Sequence, residues 1–97
     1  MTSVVNVYKD VFDVYIGRAS KRFGPASKFA NPFWMENEGK REEVIEKFRS
    51  WLWQEIKEGR ITKEELLKLD GKRLGCYCKP KNCHGDIIVK AIEWAKQ

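Results

Sequence analysis

Histidine occurs once in this chain of 97 residues, cysteine and proline three times each, and glutamine and threonine only twice each. No apolar run approaches the roughly 18 residues that a bilayer-spanning helix needs, and Met1-Thr2-Ser3-Val4 lacks the basic and apolar blocks of a signal peptide. A cytoplasmic protein with no membrane partner is the expectation. The length leaves room for one domain, residues 1–97, and one modest core, so any site is built from this fold or from a second copy. Internal repeats and low-complexity segments are absent. In a reducing cytosol the cysteines read as thiols or metal ligands. Cys76 and Cys78, two apart in a strand, sit near the upper limit of bridgeable separation.

What the chain does contain is 42% hydrophobic and 34% charged residues, the composition of a folded globular protein. The net charge is +5, and it is uneven. Residues 1–13 carry −1, 14–41 carry +4, 42–70 carry −2 and 71–97 carry +4. The positive excess brackets a balanced middle, which suits an anionic ligand, a nucleotide or a nucleic acid. A generally lysine-rich soluble surface gives the same count.

Val4-Val5-Asn6-Val7-Tyr8 and Val11-Phe12-Asp13-Val14-Tyr15-Ile16 are β-branched and aromatic runs joined by Lys9-Asp10, a spacing that predicts an N-terminal hairpin. Phe12, Val14 and Ile16 would then face the core, with Arg18 emerging at the strand end. Residues 17–40 follow with no apolar period, broken by Gly17, Gly24, Pro25, Pro32 and Gly39. So long an irregular span in a small domain points to function or mobility. Its stretch Ser27-Lys28-Phe29-Ala30-Asn31-Pro32-Phe33-Trp34 carries aromatics that pin the loop to the core or stack on a base.

Val44, Ile45, Phe48, Trp51, Leu52 and Ile56 recur at three- and four-residue steps and predict a helix over 41–58, ended by Gly59. Thr62-Lys63-Glu64-Glu65 fits a capping box for a short helix over 62–69. Residues 72–78 read as a strand with Leu74, Cys76 and Cys78 on one face. Ile87, Ile88, Ala91, Ile92 and Ala95 predict a helix over 86–96, capped by Asn82 or Asp86. The fold class is therefore α/β: a two- or three-layer sandwich in which a mixed sheet of about three to four strands, the hairpin plus 72–78, is packed by these helices.

All three cysteines and the single histidine fall between Cys76 and His84, on the turn from that strand into that helix. Backbone N–H groups and a helix dipole converge on anions at such a turn and favour a thiolate. Cys76, Cys78, Cys83 and His84 form a Cys3His set, a standard zinc combination, although C-x-C-x4-C-H is tighter than the usual pairs. Zinc is thus a candidate cofactor. In its absence, Cys83, His84 and Asp86 are candidates for thiol or acid–base catalysis. The plain alternative makes the cysteines small buried hydrophobes and His84 a hydrogen-bonding residue.

Val14-Tyr15-Ile16-Gly17-Arg18, Ser27-Lys28-Phe29-Ala30-Asn31-Pro32-Phe33 and Gly75-Cys76-Tyr77-Cys78-Lys79-Pro80-Lys81-Asn82-Cys83-His84-Gly85-Asp86 resemble the three signature blocks of the family described as domain of unknown function 4326. Its members are small and occur in cellular and phage genomes. They typically carry Trp-Gly before Asn-Pro-Phe, where this chain has Phe29-Ala30. The resemblance implies that the blocks form one site. If the strands ending at Arg18 and Cys76 are parallel, Arg18, Ser27, Lys28 and Asn31 can face the Cys/His turn and bind phosphate, carboxylate or a base edge. An ion pair at Arg18 and a simple turn at Asn31-Pro32 are the bland counterparts. The combined expectation is recognition, and possible modification, of a nucleotide-like anion or nucleic acid, against a zinc-stabilised interaction module.

Overall fold

The strand at the centre of the sheet comes last in the chain. The computed structural model describes residues 2–33, 35–77 and 81–97, and in it β1 (Ser3–Asn6) and β2 (Val14–Tyr15) both pair with β3 (Arg73–Cys76). The order is β1-β3-β2 and both pairings are parallel. Val4 and Val14 thus flank Leu74 from opposite sides. The pairing runs past the strand ends, with Val7 N–H donating to Cys76 O at 3.0 Å and Ile16 N–H to Gly75 O at 3.0 Å.

The expected hairpin therefore does not form, and the sheet is parallel, not mixed. Asn6 supplies the local reason. Its side-chain oxygen accepts from Tyr8 N–H at 2.8 Å, and its carbonyl accepts from Lys9 and Asp10. These bonds turn the chain away from β1 before a second strand can pair with it. Leu74, Gly75 and Cys76 are all buried, as a central strand covered on both faces should be. β1 and β2 are half-exposed edges.

Alternation on β3 runs as expected. Leu74 and Cys76 face a core built with Ile16, Phe48, Leu52, Ile88 and Ile92. Gly75 and Tyr77 face the other way. A side chain at Gly75 would stand 2.7 Å from Phe12 and Val7, so the missing Cβ lets these residues close over the sheet. Phe12 accordingly lies on this second face beside Tyr15 and Phe23, not in the helix-packed core with Ile16. The fold is thus a two-layer arrangement of helices on one face, with a smaller aromatic cluster on the other.

The helices follow their apolar periods. α1 (Arg41–Lys57) is preceded by a single 3-10 turn at Glu38–Lys40 and buries Val44, Phe48 and Leu52. Gly59, at φ +80°, takes the chain out of it. α2 (Lys63–Leu67) begins with the full Thr62/Glu65 capping box. α3 (His84–Ala95) starts between Asn82 and Asp86, the two positions expected to cap it. Its N-cap is Cys83, where Asn82 or Asp86 was expected. Extended at φ −145°, Cys83 accepts Gly85 N–H on its sulfur, while Asp86 at N3 accepts Cys83 N–H.

Candidate functional site

β2, β3 and the start of α3 end at one edge of the sheet, where open parallel α/β sheets form clefts. A cavity of about 240 Å³ lies there, lined by Gly17, Arg18, Asn31, Phe33, Met35, Arg41, Val44, Ile45, Cys76, Tyr77, Asn82, Cys83 and His84. The parallel pairing brings Arg18 and the Cys/His turn together, the condition set for joining the sequence blocks.

His84 is nearly buried and is held from two sides. Phe48 meets its ring edge-to-face at 5.0 Å, and Nε2 lies 3.0 Å from the carbonyl of Ile16. A carbonyl only accepts, so Nε2 carries the proton and, in the neutral ring, Nδ1 is the acceptor. Nδ1 faces Cys83 Sγ at 3.6 Å. Cys83 also takes the Gly85 N–H at 3.4 Å and touches Cys76 Sγ at 2.9 Å. The Gly85 N–H is aimed at the sulfur at the N-terminus of α3, a position where a hydrogen bond and the helix dipole act on the thiol against the effect of its burial. Cys83 is 1% exposed, so a ligand reaches its sulfur only through the cavity.

Arg18 directs two donors at the loop over the site: Nε to Asn31 O at 3.0 Å and Nη2 to Phe33 O at 2.5 Å. Asn31 Oδ1 accepts Phe33 N–H at 2.9 Å, which fixes the turn at Pro32. Tyr15 folds its ring over Gly17, where a side chain would collide with it, and donates its hydroxyl to Arg18 O at 2.5 Å. Burial first, then the neighbouring Tyr77 hydroxyl 3.0 Å away, raises the Tyr15 pKa.

Arg41 closes the opposite wall. It pairs with Glu38 through two bonds of 2.8 and 2.9 Å and donates to Asn82 O at 2.8 Å. The hydrogen bond from Arg41 holds the Glu38 carboxyl below its usual range, with Lys81 adding to it. Asn82 in turn donates to Glu42 at 2.9 Å. The start of α1 and the approach to α3 are thus tied by two hydrogen bonds, Arg41 to Asn82 and Asn82 to Glu42, and by the Lys81–Glu38 ion pair at 3.5 Å. Arg41, Asn82, Met35 and Tyr77 were missed as site residues. Arg41 reads in sequence as the first residue of an amphipathic helix, and only the positive excess of residues 14–41 hinted at it.

The candidates divide. Arg18, Asn31, Cys76, Cys83 and His84 line the cavity. Ser27, Lys28 and Asp86 do not line it: Ser27 accepts Phe29 N–H at 3.0 Å, Lys28 pairs with Glu65 at 2.6 Å, and Asp86 caps α3. Cys78 and Trp34 lie outside the described residues. Among the described residues no group of three or more His, Cys, Asp or Glu side chains is placed to hold a metal. No helix among them is long and apolar enough to cross a membrane.

The family model described as "Domain of unknown function (DUF4326)" matches residues 4–94. The chain is 45% identical over 89 residues to the "uncharacterized 12.4 kDa protein in nrdA-td intergenic region" of Enterobacteria phage T4. That alignment covers 92% of this chain and 75% of the phage protein. It is 33% identical over 92 residues to the uncharacterized protein R718 of Acanthamoeba polyphaga mimivirus, covering 80% of this chain and 65% of that protein. No solved structure matches the chain.

Proposed function

The chain belongs to the DUF4326 family, and for it we propose that the cavity recognises a small nucleotide-like anion and that Cys83, assisted by His84, modifies it. The observation carrying this reading is the Cys83–His84 pair. One ring nitrogen is committed to the Ile16 carbonyl and the other faces a sulfur at the N-cap of α3, inside a cavity walled by two arginines. In the chemistry this suits, Nδ1 takes the thiol proton and the sulfur bonds to an electrophilic centre of the ligand. As the bond from that centre to its departing group breaks, the imidazolium protonates the departing group, and water, giving its proton to Nδ1, then cleaves the sulfur–ligand bond and restores the thiol. Arg18 and Arg41 supply the positive field for the anion, and Phe33, Met35, Val44 and Ile45 the apolar surface for a base or ring.

A zinc-stabilised interaction module without catalysis is the second reading, and one observation favours it. A ring nitrogen donated to a main-chain carbonyl while the other faces thiols is the usual support of a zinc-bound histidine. The sulfurs fit less well. Zn–S bonds of about 2.3 Å in a tetrahedron hold sulfurs about 3.8 Å apart, whereas Cys76 and Cys83 are 2.9 Å apart. Cys78 would be the fourth ligand of that set.

Metal analysis of protein purified without added metal, combined with Cys83→Ala, separates the two. The thiol reading expects no stoichiometric metal, one thiol alkylated fast at neutral pH and lost in Cys83→Ala, and calorimetric binding of nucleoside monophosphates. One zinc per chain, lost with the fold in Cys83→Ala, overturns it in favour of the module.

A further inference from the structure

The sheet face opposite the helices carries a second group of side chains, of which Tyr77 alone also lines the cavity. Tyr8 and Tyr77 stand side by side, ring centroids 5.5 Å apart, with Phe23 at 5.7 and 5.9 Å from them. Phe12 and Tyr15 support Phe23 from within the sheet face. The outer two rings are open, Tyr8 being 59% exposed and Tyr77 39%. Arg22 lies over Tyr8 and Phe23, its guanidinium 5.3 Å from the Tyr8 centroid and 5.5 Å from that of Phe23.

We propose that this face binds single-stranded nucleic acid, with bases stacking on Tyr8 and Tyr77 and Arg22 holding the adjoining phosphate. Three properties point to that occupant. Exposed ring faces accept any base, but only where the base is unstacked from its own duplex. A guanidinium stacked on rings keeps its N–H edge directed outward, where phosphate takes it in a fork. The flanking charge is also positive. Lys9 and Lys21 adjoin Tyr8 and Arg22 in sequence, and Asp13 is engaged by Arg73, so Asp10 is the main opposing charge of this loop pair. The same excess disfavours a second copy of the chain, since a two-fold contact would set like charges against each other. Tyr77 also lines the cavity, so a strand on this face passes its mouth. The proposal does not depend on the thiol chemistry.

Fluorescence anisotropy with labelled twelve-residue oligo(dT) and oligo(U) tests it. Saturable binding is expected, weakening steeply between 50 and 200 mM salt. Tyr8→Ala and Arg22→Ala should each weaken it about tenfold, Tyr8→Trp should retain it, and circular dichroism should show every variant folded. Cys83→Ser should leave strand binding intact, and Tyr8→Ala should leave nucleoside monophosphate binding intact, so either reading can fail alone. Three results would overturn the proposal: no binding at low salt, equal affinity for a duplex, or wild-type affinity in Tyr8→Ala and Arg22→Ala. Concentration-dependent dimers abolished by Tyr8→Ala would assign the face to self-association and overturn it likewise.

Discussion

The imidazole of His84, the first residue of α3, donates to the main-chain carbonyl of Ile16 at the end of β2, 68 positions earlier in the chain. The bond ties the start of α3 to the end of β2 and sets which ring nitrogen meets Cys83.

Substituting His84 separates its structural and chemical parts. His84→Ala removes a buried donor and should cost about 1–3 kcal/mol in urea denaturation. Glutamine offers an N–H near the place of Nε2 but no basic nitrogen. His84→Gln should therefore recover part of that stability while the alkylation rate of Cys83 at neutral pH stays at least about tenfold below wild type. Wild-type alkylation in His84→Gln would show that the ring only holds the fold.

Gly75→Ala places a methyl group 2.7 Å from Phe12 Cγ and Val7 Cγ1. Overpacking at this central position should cost about 1–3 kcal/mol, or at least about 4 °C in melting temperature. Gly39→Ala meets only the Asn37 side chain, at 3.1 Å, and should stay within about 0.5 kcal/mol. Thermal melts of the pair compare a buried strand with an exposed turn.

Tyr15 gives an alkaline signature. Its folded pKa is raised, first by burial and then by Tyr77. The neutral hydroxyl's contribution is thus whole below about pH 10, where the unfolded phenol titrates, and declines as pH rises beyond it. Tyr15→Phe loses the bond to the Arg18 carbonyl and should be about 1 kcal/mol less stable at pH 7. The gap should narrow above pH 10, in denaturation series at pH 7, 9 and 11.

Lys28 and Arg41 should part company in ligand binding. Arg41→Ala removes a cavity wall and its tie to Asn82, so nucleoside monophosphate affinity should fall about tenfold or more by calorimetry. Lys28→Ala should leave affinity within about twofold, because Lys28 pairs with Glu65 and does not line the cavity. Its effect belongs to acid stability. Lys28 holds the Glu65 carboxyl below its ordinary 4.5, a contribution present above that pH and lost as pH falls through the lowered value. Lys28→Ala should flatten that part of the acid limb.

Local pattern carried most of the helices. The apolar steps of Val44, Phe48 and Leu52 and the Thr62/Glu65 pair are short-range signals, and α1 and α2 follow them closely. The start of α3 was less legible because a thiol serves as N-cap, a role usually read from Ser, Thr, Asp or Asn. Strand partners were hidden for a different reason. Val4 and Val14 suit a hairpin locally, and only the distant Leu74-Gly75-Cys76, buried on both faces, decides that a third strand enters between them. At the site, Cys83 and His84 announced themselves by rarity, whereas Arg41 is one of 19 lysines and arginines and is selected by tertiary position alone.

The late position of the central strand bears on how the molecule assembles. Among the described residues β1 and β2 pair only with β3, so during synthesis these two strands wait for a segment made later. Sheet formation waits for residues 73–76, and such long-range pairing is intrinsically slow to nucleate. Cys76, Cys83 and His84 emerge within the same short segment. The residues that complete the sheet also complete the cavity, so a nascent chain presents no assembled pocket until its framework can close.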